Sequence, residues 1–130
     1  MMPLLRKRMM MQQENVIRIP LDDIREGYIT STGSFSGYTR TYLAYSFIPI
    51  KENAVYLWER KSEGFIMWRQ SFWDENKEFI SRIYPENSES STEVSTPEGA
   101  CYVMLGFTKN YDMSIEEAIE EFETMTLKEV

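Results

Sequence analysis

Carboxylates are the reactive groups this sequence has in quantity: 21 of its 130 residues are Asp or Glu. Two acids about 5 to 10 Å apart across a cleft suffice for glycoside hydrolysis, and Asp22, Asp23, Glu52, Glu59, Asp74 and Glu75 are the candidates. In so acidic a chain such pairs arise by chance, and Asp74 and Glu75 fall in "DENK", where a turn uses Asp and Asn for its own hydrogen bonds. Histidine is absent. That removes the usual general base, the Ser-His and Cys-His nucleophile systems and the commonest zinc ligand. Cys101 is the single cysteine, so neither an intrachain disulfide nor a thiolate metal site can form. The sequence holds no G-x-G-x-x-G pattern and no P-loop, and Asp22-Asp23 lacks the spacing of a calcium loop. These absences predict a noncatalytic chain with no cofactor and no metal site.

Aromatic recognition is the chemistry that remains. Trp58, Trp68 and Trp73 lie within sixteen residues of one another, and flat aromatics either fill a core, stack on sugar rings or anchor protein interfaces. Period-two alternation separates them. Over residues 65–73, Ile66, Trp68 and Phe72 share one face, which is apolar and points inward; Phe65, Met67, Arg69, Ser71 and Trp73 share the other. Over residues 54–60 the apolar face reads Val55 and Leu57, leaving Trp58 beside Arg60 as a half-exposed pair. Trp58, Arg60, Arg69 and Trp73 are therefore the candidate ligand-binding residues.

The elements that must position them are strands. From residue 14 to about 110 helical periodicity is missing, and short β-rich runs recur between turn signals. "NVIRI", "GYITSTG", "TYLAYSFIPI", "AVYLWER", "GFIMWRQSFW", "EFISRIY" and "ACYVMLGF" are the candidates. "SFSGYTR" reads as a loop, "KSEG" as a hairpin loop between the fourth and fifth runs, and "PENSESSTE" as a surface loop. "ACYVMLGF" is apolar on both faces and predicts a buried central strand. Seven or eight such strands fit an antiparallel β-sandwich, of the jelly-roll kind. Its interior is expected to be sealed by Ile66, Trp68, Phe72, Val103, Leu105 and Phe107.

The two ends differ from the middle. Residues 1–13 read as an arm rich in methionine and carrying Arg6, Lys7 and Arg8. Residues 111–130 read as an acidic helix: Ser114 and Glu117 form a capping box, and Ile115, Ala118, Ile119, Phe122 and Met125 recur at helical spacing. That apolar stripe needs a partner, either the 14–110 sandwich of its own chain or another subunit. Arg6, Lys7, Arg8, Ile115, Ile119, Phe122 and Met125 are accordingly the candidate assembly residues, and a homo-oligomer is expected. The net charge of −7, with −9 of it offset by +2 between residues 86–130 and 1–85, argues against nucleic-acid binding. No apolar run is long enough to insert in a membrane.

The stretches "YSFIPI" (45–50), "SFWDENKEFIS" (71–81) and "STPEGACYVMLGF" (95–107) resemble a pattern of small jelly-roll domains, similar to carbohydrate-binding modules, in bacteriophage tail, fibre and other virion proteins and in bacterial surface proteins. Phe47 to Ile50 stand where that pattern has its "yIPV" strand. Phe72, Trp73, Asp74, Asn76, Lys77, Phe79 and Ile80 take its "fYD-x-NK-x-FI" hairpin, and Pro97, Ala100, Tyr102 and Val103 its last strand. Ser46 replaces a common acid and Met104 a common arginine, and the pattern has no acidic terminal helix. The resemblance implies a noncatalytic virion protein that serves assembly, with other virion proteins as partners and host-surface carbohydrate as a further ligand. The alternatives are a purely structural decoration or adaptor subunit, a glycan-active enzyme, and a place on the bacterial surface or in the cytoplasm.

Overall fold

A computed structural model describes residues 16–62, 66–83, 91–109 and 112–130. The chain is mainly β, and the described residues form nine strands: β1 (Val16–Arg18), β2 (Ile24–Ile29), β3 (Phe35–Pro49), β4 (Val55–Glu59), β5 (Met67–Trp73), β6 (Phe79–Ile83), β7 (Ser91–Ser95), β8 (Tyr102–Thr108) and β9 (Thr126–Glu129). Among the described residues one helix, α1 (Ile115–Glu123), lies between β8 and β9. The strands form two antiparallel sheets, a four-stranded one in the order β1-β9-β4-β7 and a five-stranded one in the order β2-β3-β8-β5-β6. The expected arm at residues 1–13, with Arg6, Lys7 and Arg8, lies outside the described residues.

The core lies between the sheets. All six side chains expected to seal it are there, each no more than 1% exposed. β8 is the middle strand of the larger sheet, and Val103, Met104, Leu105 and Phe107 are fully buried, because both its faces are covered. Across the interior Trp58 of β4 meets Trp68 of β5 edge to face, with ring centres 5.9 Å apart. Asp74 makes the β5–β6 turn as its residue type predicts, its Oδ1 accepting from the backbone N–H groups of Asn76 and Glu78 at 2.8 and 2.9 Å.

Four expectations are corrected. "KSEG" does not close a hairpin: β4 and β5 belong to different sheets, so the chain crosses between layers there. Of the expected loop at residues 85–93, Ser91 to Glu93 belong instead to β7, which pairs with β4, and residues 85–90 lie outside the described residues. "SFSGYTR" is the first half of the fifteen-residue β3 rather than a loop. The terminal helix stops at Glu123, and β9 follows it, inserted between β1 and β4 with Leu127 fully buried. The sandwich is therefore not complete at residue 110.

The helix finds its partner in its own chain. Its capping box forms as read, with Ser114 Oγ accepting from the Glu117 N–H and Glu117 Oε1 accepting from the Ser114 N–H, both at 3.1 Å. Ala118, Phe122 and Met125 are buried, and the Phe122 ring lies 4.9 Å from that of Phe107. The Tyr42 hydroxyl donates to the Met113 carbonyl. Burial, then the carboxylates of Glu26, Asp112, Glu117 and Glu116, raise its pKa, so it stays protonated as a donor. Phe122 and Met125 are thus core residues and not an assembly surface; Ile119 is half-buried, and Ile115, at 41%, is exposed.

One core position is chemically mismatched. Gln70 of β5 is 2% exposed, and neither its amide nitrogen nor its oxygen has a hydrogen-bond partner among the described residues. A buried orphan amide costs about 1–3 kcal/mol. Gln70→Met, close to it in volume, is expected to raise stability by about 1 kcal/mol, read as a higher urea midpoint at unchanged slope. A lower midpoint would show that the amide is satisfied in solution.

Candidate functional site

Alternation sends Met67, Arg69, Ser71 and Trp73 of β5 to the outer face of the five-stranded sheet. Beside them on β8 stand their register partners Thr108, Gly106, Met104 and Tyr102. An outer face is ordinarily solvated and polar. Here it carries a second apolar cluster instead: Ile29, Leu43, Trp73 and Met104 are buried, with Tyr45, Phe47, Phe79 and Tyr102 packed around them.

The β2–β3 hairpin supplies the cover. Ile24 to Glu26 pair with Ala44 to Tyr42, then the register slips and Gly27 faces Gly37. Gly27 has φ +154°, and a Cβ on it would lie 2.3 Å from the Ser36 carbonyl oxygen, so only glycine fits the bend. Beyond it the hairpin reaches the far edge of the sheet. Arg82 of β6 donates to the Ile29 carbonyl oxygen at 3.1 Å, and Gly33, at φ +86°, lies so close to Phe79 that a Cβ would be 2.5 Å from the Phe79 Cβ. Four strand spacings, roughly 19 Å, separate β2 from β6 within the sheet. The hairpin must therefore arch across the outer face to make these contacts.

Along this face five rings have a cation beside them. The Arg25 guanidinium sits 3.7 Å from the Tyr45 ring centre and 5.5 Å from that of Phe35. Lys77 Nζ lies 5.2 Å from Phe47 and 5.8 Å from Tyr102, and the Arg69 guanidinium 5.5 Å from Tyr28, whose edge meets Tyr38. Phe35 and Tyr38 are 38% and 54% exposed. Rings of this kind stack on the apolar faces of sugars, and neighbouring guanidinium, ammonium and hydroxyl groups can hydrogen-bond sugar oxygens. Cation–π contacts of this sort are worth about 0.5–1 kcal/mol each when exposed, enough to hold a ring in place.

Arg25 is itself fixed by Asp23, whose two oxygens accept from Nε and Nη2 at 3.0 and 2.9 Å. That hydrogen-bonded pairing with Arg25 holds the Asp23 carboxyl below its ordinary pKa. The stabilisation is complete above the ordinary aspartate value and is lost only as pH falls through the lowered one. In an acid titration followed by NMR, the ring-shifted Arg25 side-chain signals are expected to persist below the pH at which exposed aspartates have titrated. Asp23→Asn should abolish that persistence.

The sequence-predicted ligand residues are divided by the fold. Arg69 and Trp73 do share the outer face, but Trp73 is only 7% exposed, with its Nε1 donating to Ser71 Oγ at 3.0 Å and its ring edge-on to Phe47 and Phe79. Trp58 and Arg60 are not the half-exposed pair expected. They are 1% and 5% exposed, and Tyr56 and Trp58 of β4 face inward with Arg60 just beyond its end, while Val55 is exposed. Arg60 Nη1 donates to Glu121 Oε1 at 2.7 Å and to Ser62 Oγ at 3.0 Å. The buried charge made the inner face look mixed. Tyr28, Phe35, Tyr38, Tyr45, Phe47 and Tyr102 escaped the sequence reading; the signal was the density of aromatics between residues 28 and 47.

No family model, curated protein or solved structure matches the chain. Among the described residues no group of three His, Cys, Asp or Glu side chains is placed to hold a metal ion, and no helix is long and apolar enough to cross a membrane. A concavity of about 280 Å³ lies beside α1 and is lined by Ser62, Lys109, Met113, Thr124 and the carboxylates Glu117, Glu120 and Glu121. It offers no apolar ring for a ligand to stack on.

Proposed function

We propose that the protein is a noncatalytic jelly-roll module of a bacteriophage virion that binds carbohydrate on the host surface through the outer face of its five-stranded sheet. The jelly-roll reading is supported by the nesting of strand pairs: β1 with β9, β3 with β8, β4 with β7 and β5 with β6. One long hairpin rolled over two four-stranded layers produces that order, with β2 added at an edge. The virion setting is supported by the resemblance of residues 45–107. The ligand class rests on one observation, the band of rings on that face, five of them with a cation alongside.

The measurement is a glycan array of host-surface polysaccharides, with tryptophan fluorescence to follow hits. Phe47→Ala and Tyr102→Ala are expected to weaken binding about tenfold each, or roughly 1.4 kcal/mol. Silence across the array with unchanged fluorescence would count decisively against the reading. A second reading, a decoration or adaptor subunit, is favoured by the same exposed rings, because aromatic patches also anchor protein interfaces. Light scattering separates them: a stable oligomer that Tyr38→Ser and Phe35→Ser dissolve is the signature of assembly.

A further inference from the structure

The four-stranded sheet turns Tyr56, Trp58, Val94 and Leu127 to the core, and alternation gives its other face to their chain neighbours. Register orders that outer face in rows that run across β1, β9, β4 and β7. One row reads Val16, Lys128, Leu57, Glu93, and the next reads Arg18, Thr126, Glu59, Ser91. Beyond the first row the Val130 N–H donates to the Val55 carbonyl oxygen at 2.9 Å, so these two valines stand side by side. Both are exposed, and Val16 and Leu57 are half-buried.

A solvated face ordinarily intersperses charges of both signs. Here they are sorted by strand: the exposed cations Arg18 and Lys128 stand on β1 and β9, the exposed acids Glu59 and Glu93 on β4 and β7. Cation and acid of one row are two strands apart, roughly 10 Å, and none of the four forms a salt bridge among the described residues. Two copies can meet through this face about a two-fold axis lying in its plane. An axis parallel to the strands lays β1 over the second copy's β7, and β9 over its β4. Each cationic stripe then meets an acidic one, and Val130 meets Val55. An axis across the strands lays β1 on β1 and β7 on β7, like charge on like, which is repulsive. We infer that the outer face of the four-stranded sheet is the contact between two copies of this chain, packed with their strands aligned about the first of these axes. The pattern is self-complementary under that rotation alone, which is why a second copy is its occupant. The outer faces of the two five-stranded sheets then point away from each other, on opposite sides of the pair.

Sedimentation equilibrium of the full chain over a range of concentrations at low salt tests this, and a reversible dimer is the expected result. Glu93→Lys and Lys128→Glu each alter two symmetric contacts, and each should raise the dissociation constant at least about tenfold. The chain carrying both substitutions should recover most of the original affinity, because opposite charges face each other again. An unchanged circular dichroism spectrum establishes that each variant is folded. Val55→Thr, which keeps the branched shape and removes the apolar contact, should weaken the dimer as well, and it supplies the answer where a charge variant fails to fold. A monomer at every concentration, a dimer indifferent to Glu93→Lys and Val55→Thr, or a double variant that associates no better than the single ones overturns the inference. A dimer that Tyr38→Ser dissolves overturns it too, by placing the contact on the other sheet.

Discussion

Glu121→Ala is expected to lower the unfolding free energy by about 3–5 kcal/mol, a fall of roughly 10–20 °C in melting temperature for a chain of this size. Glu121 Oε1 accepts from Arg60 Nη1 at 2.7 Å, and Oε2 lies 4.0 Å from Lys109 Nζ. The side chains of Arg60, Lys109 and Glu121 are 2%, 7% and 5% exposed. Alanine would withdraw the carboxylate that the two buried cations share, and the loss of desolvated charge compensation dominates over the loss of the hydrogen bond itself. The triple replacement Arg60→Met, Lys109→Met and Glu121→Leu should recover most of the deficit, because apolar groups of similar volume need no compensation. Differential scanning calorimetry of the three proteins checks both statements. A near-neutral Glu121→Ala would mean that water reaches the pair.

Removing residues 124–130 should abolish cooperative folding. The deletion takes away β9, which bridges β1 and β4, and with it the buried side chains of Met125 and Leu127. Each of those two alone is worth about 2–5 kcal/mol on replacement by alanine, and the backbone groups of β1 and β4 would lose their ladder besides. The sum approaches the whole stability of a domain, about 5–15 kcal/mol. Circular dichroism and light scattering are expected to show an unfolded or aggregating chain. A truncated protein that melts cooperatively as a monomer would show that the four-stranded sheet closes without β9.

The candidate site was legible to different degrees for physical reasons that can be named. Arg69 and Trp73 could be placed on one outward face because β5 stays in unbroken register with β8 from Met67 to Trp73. The same rule misassigned β4, where Arg60 is buried against Glu121, sixty-one residues away in sequence. A charge reads as solvent-facing until its partner is known. The aromatic band depends on the hairpin turning over the sheet, and the contact that fixes it, Arg82 to Ile29, joins opposite edges of that sheet. Local pattern carries no information about such a contact.

By itself the sequence determined the mainly β class, the six side chains that seal the interior, the Asp74 turn and the capped start of α1, because each follows from alternation or from hydrogen bonds within a few residues. Tertiary structure alone decided that the helix packs on its own sandwich, that residues 126–129 become a strand, and that the outer face is roofed by a hairpin. Those outcomes are set by groups distant in the chain. Thr126–Glu129 has little strand preference of its own and is drawn into the ladder by the unpaired backbone of β1 and β4 on either side.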